Sequence, residues 1–418
     1  MSIYNKELTT RFHDAVFDRA NFRTEWRLQP NQVYLSSMRL AGLGTSSTLT
    51  DSYNGLTGSL GCIESIQLYD GNELLDQILM ATQWNGFKTF NKKNEYNVSL
   101  GRHLTKTSLG YTTAGLQSST AASGRLDTDK IKIQTQNPAA DTAGETGWVS
   151  LKSMLPFLQA STIVPTNVFS KLRLVINWNS AQLKNMFLKN NGVYATLENV
   201  VLVADEVNVG KTKELMMKEY EGVSYRPIEH DRVIVPPIVV ASAAIGTVAQ
   251  SNKFNINGFN NKTLHSLVLV QTPMDATTFS TGDDNTEYAN AGSMSQWLPT
   301  YQFRINGSNK LSRDGWSGKN SRLAALTDIM GSCNAIPGNN MVHLDAGADC
   351  IDKSASRVGT LDYTAIKIDE RVAELQIEFG RTGVYDNANT TQQLELNMFG
   401  EVSKAVILSG STYSVVYV

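Results

Sequence analysis

The chain has 418 residues, 41% hydrophobic and 18% charged, which is too long for one ordinary core and too apolar for a disordered polymer. Its 37 basic and 39 acidic side chains leave a net charge of −2. With no long Lys/Arg block, direct sequence-specific nucleic-acid binding is not expected. Cys62, Cys333 and Cys350 lack CxxC spacing, so they read as reduced thiols in a protein folded inside a cell, without a zinc site.

The spacing of Leu8, Phe12, Val16 and Ala20 predicts an N-terminal helical arm over 1–21. A helix this short is marginal in water without a partner surface. It either packs under its own domain or is an arm that docks on a neighbouring subunit or a membrane surface, and on the second reading it is expected to serve assembly. The basic-then-apolar pattern of a signal peptide is missing. From Phe22 the pattern turns to strands. Trp26–Gln29 and Val33–Met38 come first, and Ile66 and Leu68 then alternate with Gln67 ahead of Asp70-Gly71. Leu74, Leu75, Ile78 and Leu79 fall at helical spacing and predict a short helix over Glu73–Met80.

Residues 105–147 are rich in Ser, Thr, Ala and Gly. They offer too little apolar area for a core and are expected to form a long exposed loop. Strand signals resume at Leu172–Ile176 and Val200–Val203, and Glu206–Tyr220 predicts a polar helix closing the first unit. Val233–Ala249 is apolar but interrupted by Pro236-Pro237. It is too short to span a bilayer and reads as a buried strand with its approach. Tyr301, Phe303 and Ile305 alternate with Gln302 and Arg304 before Asn306-Gly307, and Arg322–Met330 predicts a further short helix.

These segments pair in order. Trp26–Gln29 and Val33–Met38 resemble Phe254–Asn257 and Thr263–Leu267. The Asp70-Gly71 strand resembles the Asn306-Gly307 strand, Leu172–Ile176 matches Leu375–Phe379, and Val200–Val203 matches Ala405–Leu408. A shared order of this kind points to one all-β unit present twice. The expected units are 22–215, carrying the 105–147 loop, and 216–418.

The remaining motifs carry little chemistry. Gly210-Lys211-Thr212 has Asp205 where a phosphate loop needs glycine, and Gly42-Leu43-Gly44 has Ser47 in place of a third glycine, so both read as turns. His13, His103, His230, His265 and His343 show neither metal spacing nor a nucleophile motif. Asp283–Glu287 lacks the spacing of a calcium loop. Trp84, Trp148, Trp178, Trp297 and Trp316 are scattered, which favours packing over a sugar platform. The sequons at Asn97, Asn261, Asn306 and Asn389 read as accidents of composition. No catalytic residue, cofactor or metal is expected.

Phe22–Asn31 leading into Val33-Tyr34-Leu35, then Ile66–Gly71, then Ser150–Leu158 with Val164-Pro165 and Leu172–Leu174, resemble the double jelly-roll major capsid proteins of tailless icosahedral double-stranded DNA viruses. The virophage, polinton-like and nucleocytoplasmic large DNA virus types are the nearest in pattern. The resemblance implies an all-β fold of two tandem eight-stranded antiparallel jelly-roll sandwiches with a few short helices. It also implies a homotrimeric, pseudo-hexameric capsomer in the virion shell. Partners would be neighbouring capsomers and minor capsid or penton proteins, with an internal membrane as a further contact. The competing readings are a minor capsid, penton or spike protein, and a two-sandwich glycan-binding protein.

Overall fold

The computed structural model describes residues 8–43, 63–81, 84, 147–178, 200–208, 210–236, 248–273, 300–311, 328–329, 364–383, 394–409 and 412–418. The first barrel is built from β1 (Leu8–His13), β2 (Val16–Asp18), β3 (Arg23–Arg27), β4 (Val33–Leu35), β5 (Arg39–Leu43), β6 (Ile63–Asp70), β7 (Glu73–Ile78), β8 (Gly147–Ser150), β9 (Ile163–Pro165), β10 (Leu172–Trp178) and β11 (Val201–Val207). In one sheet β1 lies on one side of β11, and the collinear β4 and β5 lie on the other, backed by β9 and β8. The facing sheet has the order β2-β3-β10-β6-β7. All pairings are antiparallel.

The second barrel repeats this order without the interruptions. It comprises β13 (Ile228–Val235), β14 (Val248–Ile256), β15 (Lys262–Pro273), β16 (Thr300–Ile305), β17 (Ser308–Asn309), β18 (Thr364–Val372), β19 (Leu375–Gly383) and β20 (Leu394–Val402). Its sheets run β13-β20-β15-β18 and β14-β19-β16-β17. With β4/β5 and β8/β9 each counted as one broken strand, and β2 set aside as an added edge strand, both barrels have eight strands in two four-stranded sheets of identical order, the topology of a jelly roll. In the first barrel the break in the strand formed by β8 and β9 holds a 3₁₀ turn, Leu151–Ser153, and a short helix, α1 (Pro156–Ala160).

Register tests the sequence pairs directly. Trp26 and Leu68 both face Leu174 across their sheet, and Phe254 and Phe303 both face Ile377. Two of the predicted equivalences, Trp26 with Phe254 and Leu174 with Ile377, therefore hold. The two turns are offset by one residue from the sequence match. Gly71 (φ 58) occupies the place of Asn306 (φ 49), and Gly307 (φ 80) follows Asn306 with a second positive φ. One positive φ at the first turn position suits a type II′ turn and two in succession suit type I′, the two connections that match strand twist.

Three sequence expectations are corrected. The 1–21 arm is not helical where it is described. Leu8–His13 and Val16–Asp18 are strands, and β1 pairs along its whole length with β11. The i, i+4 apolar spacing was misleading because Thr9, Thr10, Phe12 and Phe17 favour extended backbone and the edge of β11 offers hydrogen-bond partners. The segment belongs to the barrel, so the expectation that it serves assembly while the fold stands without it loses its basis. Glu73–Ile78 is likewise a strand, the return arm of a hairpin with a bulge near Leu68/Tyr69. Finally, Val200–Val203 does not correspond to Ala405–Leu408, because β11 takes the place of β20, between the first and third of the eight strands of its barrel.

The predicted polar helix is present as α2 (Gly210–Glu219). Val233–Val235 ends β13 and Val248 opens β14, with 237–247 outside the described residues. The 105–147 loop lies outside them too, apart from Gly147, as does the 322–330 helix apart from the helical pair Asp328-Ile329. Among the described residues no helix is long and apolar enough to cross a membrane.

A third sheet joins the barrels. It contains β12 (Gly222–Tyr225), β21 (Lys404–Ser409) and β22 (Thr412–Tyr417), in the order β12-β21-β22. β12 carries the chain from the first barrel to the second, and β21 leaves the second barrel immediately after β20.

Candidate functional site

The first barrel's core does not close on its own residues. Trp26, Leu40, Ile66, Leu68, Phe157, Phe169 and Leu174 pack into one buried cluster with Val268, Val270, Ala365 and Phe399 of the second barrel and with Tyr225 and Val406 of the third sheet. The middle strands of the β13-β20-β15-β18 sheet, β20 and β15, are therefore buried on both faces. Leu267, Leu269, Leu396 and Met398 point into their own barrel, while the alternate residues Val268, Val270 and Phe399 point into the first. Two-sided burial calls for a continuous apolar run, which β15 has in Leu267–Val270 and β20 only in the pair Met398-Phe399. Trp84 caps this contact with its ring 5.2 Å from that of Phe399.

Polar groups line one side of the junction. Asp76 is 1% exposed, and its carboxylate accepts the N–H of Phe157 at 2.7 Å and of Gln77 at 2.9 Å. Burial pushes this carboxyl up to about 7, against the opposing pull of those two donors and of Lys404. Lys404, 7% exposed, donates to the carbonyls of Leu74 at 3.0 Å and Leu75 at 3.2 Å. Its burial lowers the amine's pKa, with Glu229 and Asp76 opposing. Tyr225 also donates to Leu75 O. Tyr413 donates to Asp70 at 2.7 Å and Tyr417 to Glu229 at 2.6 Å. Lys262 lies 4.6 Å above the Tyr417 ring and 3.5 Å from Glu229.

The motifs singled out in the sequence are dispersed. Gly210-Lys211-Thr212 is the first turn of α2, not a loop, and Gly42-Leu43 lies within β5. His13 is buried against Tyr34, and His230 lies 2.8 Å from Asn397 Oδ1, which accepts its Nε2–H. Trp178 and Trp84 are core residues, and Trp148 lies in β8. His103, His343, the three cysteines, Asp283–Glu287, Trp297, Trp316, Asn97 and Asn389 are outside the described residues. Asn306 has its side chain committed, accepting the N–H groups of Ala373 and Glu374 and donating to Arg371 O. Among the described residues no three His, Cys, Asp or Glu side chains are grouped to hold a metal.

One arrangement escaped the sequence reading. His265 Nδ1 lies 2.9 Å from Asp369 Oδ1, and its Nε2 lies 2.7 Å from Ser403 Oγ. A carboxylate only accepts, so in the neutral ring Nδ1 carries the proton and Ser403 donates to Nε2. The order matches a nucleophile row. However, the Ser403 N–H, a donor that an oxyanion site would use, goes to Thr263 O at 3.2 Å. His265 sits at a bulge in β15 and Asp369 at φ 53, local distortions with no sequence signature. Ser403 is the residue joining β20 to β21, so the row anchors that joint.

No family model and no curated protein matches the sequence. Solved structures do match in fold. VP54 of the virus PBCV-1, in a crystal structure fitted into a reconstruction of the virophage Sputnik, has a TM-score of 0.56 at 10% identity, over 100% of this chain and 99% of that one. A chain of the 3.5 Å cryo-EM structure of the Sputnik virophage gives 0.54 at 8%, over 100% and 90%. The mavirus major capsid protein gives 0.53 at 7%, over 100% and 91%. The fold is the double jelly roll of these viral proteins. The double jelly roll covers the whole chain, both barrels included.

Proposed function

We propose that this chain is a major capsid protein of an icosahedral DNA virus, a structural subunit of the virion and not an enzyme. The observation that carries the reading is the full-length match of a two-barrel chain to capsid chains of nearly the same length. Physical logic supports it. Two similar barrels per chain let a trimer present six, so a threefold assembly fills a hexagonal lattice position. The buried junction makes each chain a stiff tile. Among the described residues β1, β2 and β13 are edge strands, and they carry the exposed Phe12 (64%), Val16 (67%) and Ile234 (44%), surface for neighbouring copies.

Copies of the same chain and neighbouring capsomers are then its partners. The β6–β7 turn, the start of β10 and the end of β3 share one end of the first barrel, and β7 runs away from that end toward the connection holding 105–147. We assign this far end to the outer surface of the shell. Electron microscopy of the purified protein tests the proposal. Threefold particles with a near-hexagonal outline are expected. Fivefold rings would make it a penton protein, and monomers carrying bound glycan would favour the glycan-binding reading.

A further inference from the structure

We propose that the β12-β21-β22 sheet is a clasp that fixes the angle between the barrels, with Lys404 as its pin and the His265–Ser403 contact locking its hinge. The inference concerns how one chain holds itself together and stands whether or not the chain builds a shell.

The chain leaves the first barrel once and the second barrel once, and both exits run through this sheet. The first is Gly222–Tyr225, the second Ser403-Lys404. They are bound side by side, with Tyr225 opposite Lys404 and Gly222 opposite Ile407. Two further bonds close the seam, from Val402 N to Pro227 O at 3.1 Å and from Val418 N to Ser403 O at 3.1 Å. Two adjacent single-strand exits would form a hinge. Hydrogen-bonded to each other and to β22, they form a plate.

Each end of the plate is anchored to a different barrel. On the second barrel, Ser403 is held through its N–H by Thr263 and through its hydroxyl by His265, itself held by Asp369. Tyr417 reaches Glu229 of β13. On the first barrel, the Lys404 ammonium enters the junction and binds two successive carbonyls of β7, while Tyr413 ties β22 to Asp70 and lies with its ring 5.0 Å from that of Phe169. A buried cation is costly unless its donors are satisfied, so once seated Lys404 resists withdrawal. Gly222 permits the close approach. Its φ is 99, and a Cβ there would lie 2.2 Å from Val406 O.

Amide hydrogen exchange on the full-length protein and on Lys404→Met tests this. With the pin removed, amides of 222–225 and 404–417 should exchange faster by about tenfold or more. Those of β6, β10, β15 and β19 should keep their wild-type rates. Unchanged exchange in the clasp, or equal acceleration through both barrels, would overturn the proposal. Tyr413→Phe, which removes one hydroxyl, decides the matter should Lys404→Met fail to fold. Acceleration confined to the same two segments supports the clasp, and a wild-type or uniform pattern refutes it.

Discussion

The two barrels share one topology but differ in how each completes its core. In the second barrel Val235, Ile256, Phe259, Leu264, Phe303, Ile377 and Met398 close on one another within residues 235–402. Its strands run unbroken for up to the 12 residues of β15. The first barrel has two broken strands, a helical insertion and an added edge strand, β2, and it finishes its core with side chains from the second barrel and the clasp. The second barrel also buries Val268, Val270, Ala365 and Phe399 in that contact, but among the described residues its inner cluster draws on no side chain of the first. A duplicated domain can thus diverge into a self-sufficient half and a half that is stable only when docked, because area buried between halves stabilises as well as area buried within one.

The largest effect should come from separating them. Residues 228–402 expressed alone should give dispersed, protected amide signals, whereas 8–208 should remain unfolded or aggregate. Two folded halves, or only the first, would break the asymmetry. Next in size is Phe399→Ala, which empties the shared contact and should cost about 3–5 kcal/mol in denaturant unfolding. If that loss falls on the second barrel alone, the shared core is misassigned.

Asp76 sharpens the comparison through pH. Its folded value of about 7 exceeds the ordinary 3.8, so the folded state holds the proton to higher pH than the unfolded one. The stability this contributes is fully present below the unfolded value and is lost as pH rises through about 7, by up to about 4 kcal/mol. Lys404, Glu229 and the amides of Phe157 and Gln77 are the groups acting on it. Asp76→Asn cannot ionise, so wild type should lose stability relative to this variant between pH 4 and 7. A constant difference across that range would show that Asp76 does not titrate there.

The smallest effects concern the paired turns. Asp70→Ala and Asn306→Ala each remove acceptors for backbone N–H groups and should cost about 1–3 kcal/mol. Asp70 also holds Tyr413, so its loss should loosen the clasp. Loss of Asn306 should be felt within the second barrel only. Equal effects on the clasp would erase the distinction.

The duplicated strands around Trp26, Leu68, Leu174, Phe254, Phe303 and Ile377 were legible in the sequence because half-buried strands carry a period of two. The N-terminal strands and β7 were not. Leu8, Phe12 and Val16 satisfy a helical spacing by coincidence, and pairing with β11 and β6, distant in sequence or across a bulge, settles the matter. The match of Val200–Val203 to Ala405–Leu408 failed because β21 is as apolar as a barrel strand while packing in the clasp. The junction was illegible for a similar reason. Lys404 and Asp76 are ordinary charged residues until two barrels close over them, and nothing local marks His265 or Ser403 as partners.

The proposed function requires that this chain assemble by threes. Native mass measurement of the purified full-length protein tests it most directly. One dominant species at three times the 45.9 kDa chain mass is expected, and it should persist on dilution, as a trimer with a large buried interface would. A stable monomer, or a pentamer, would contradict it.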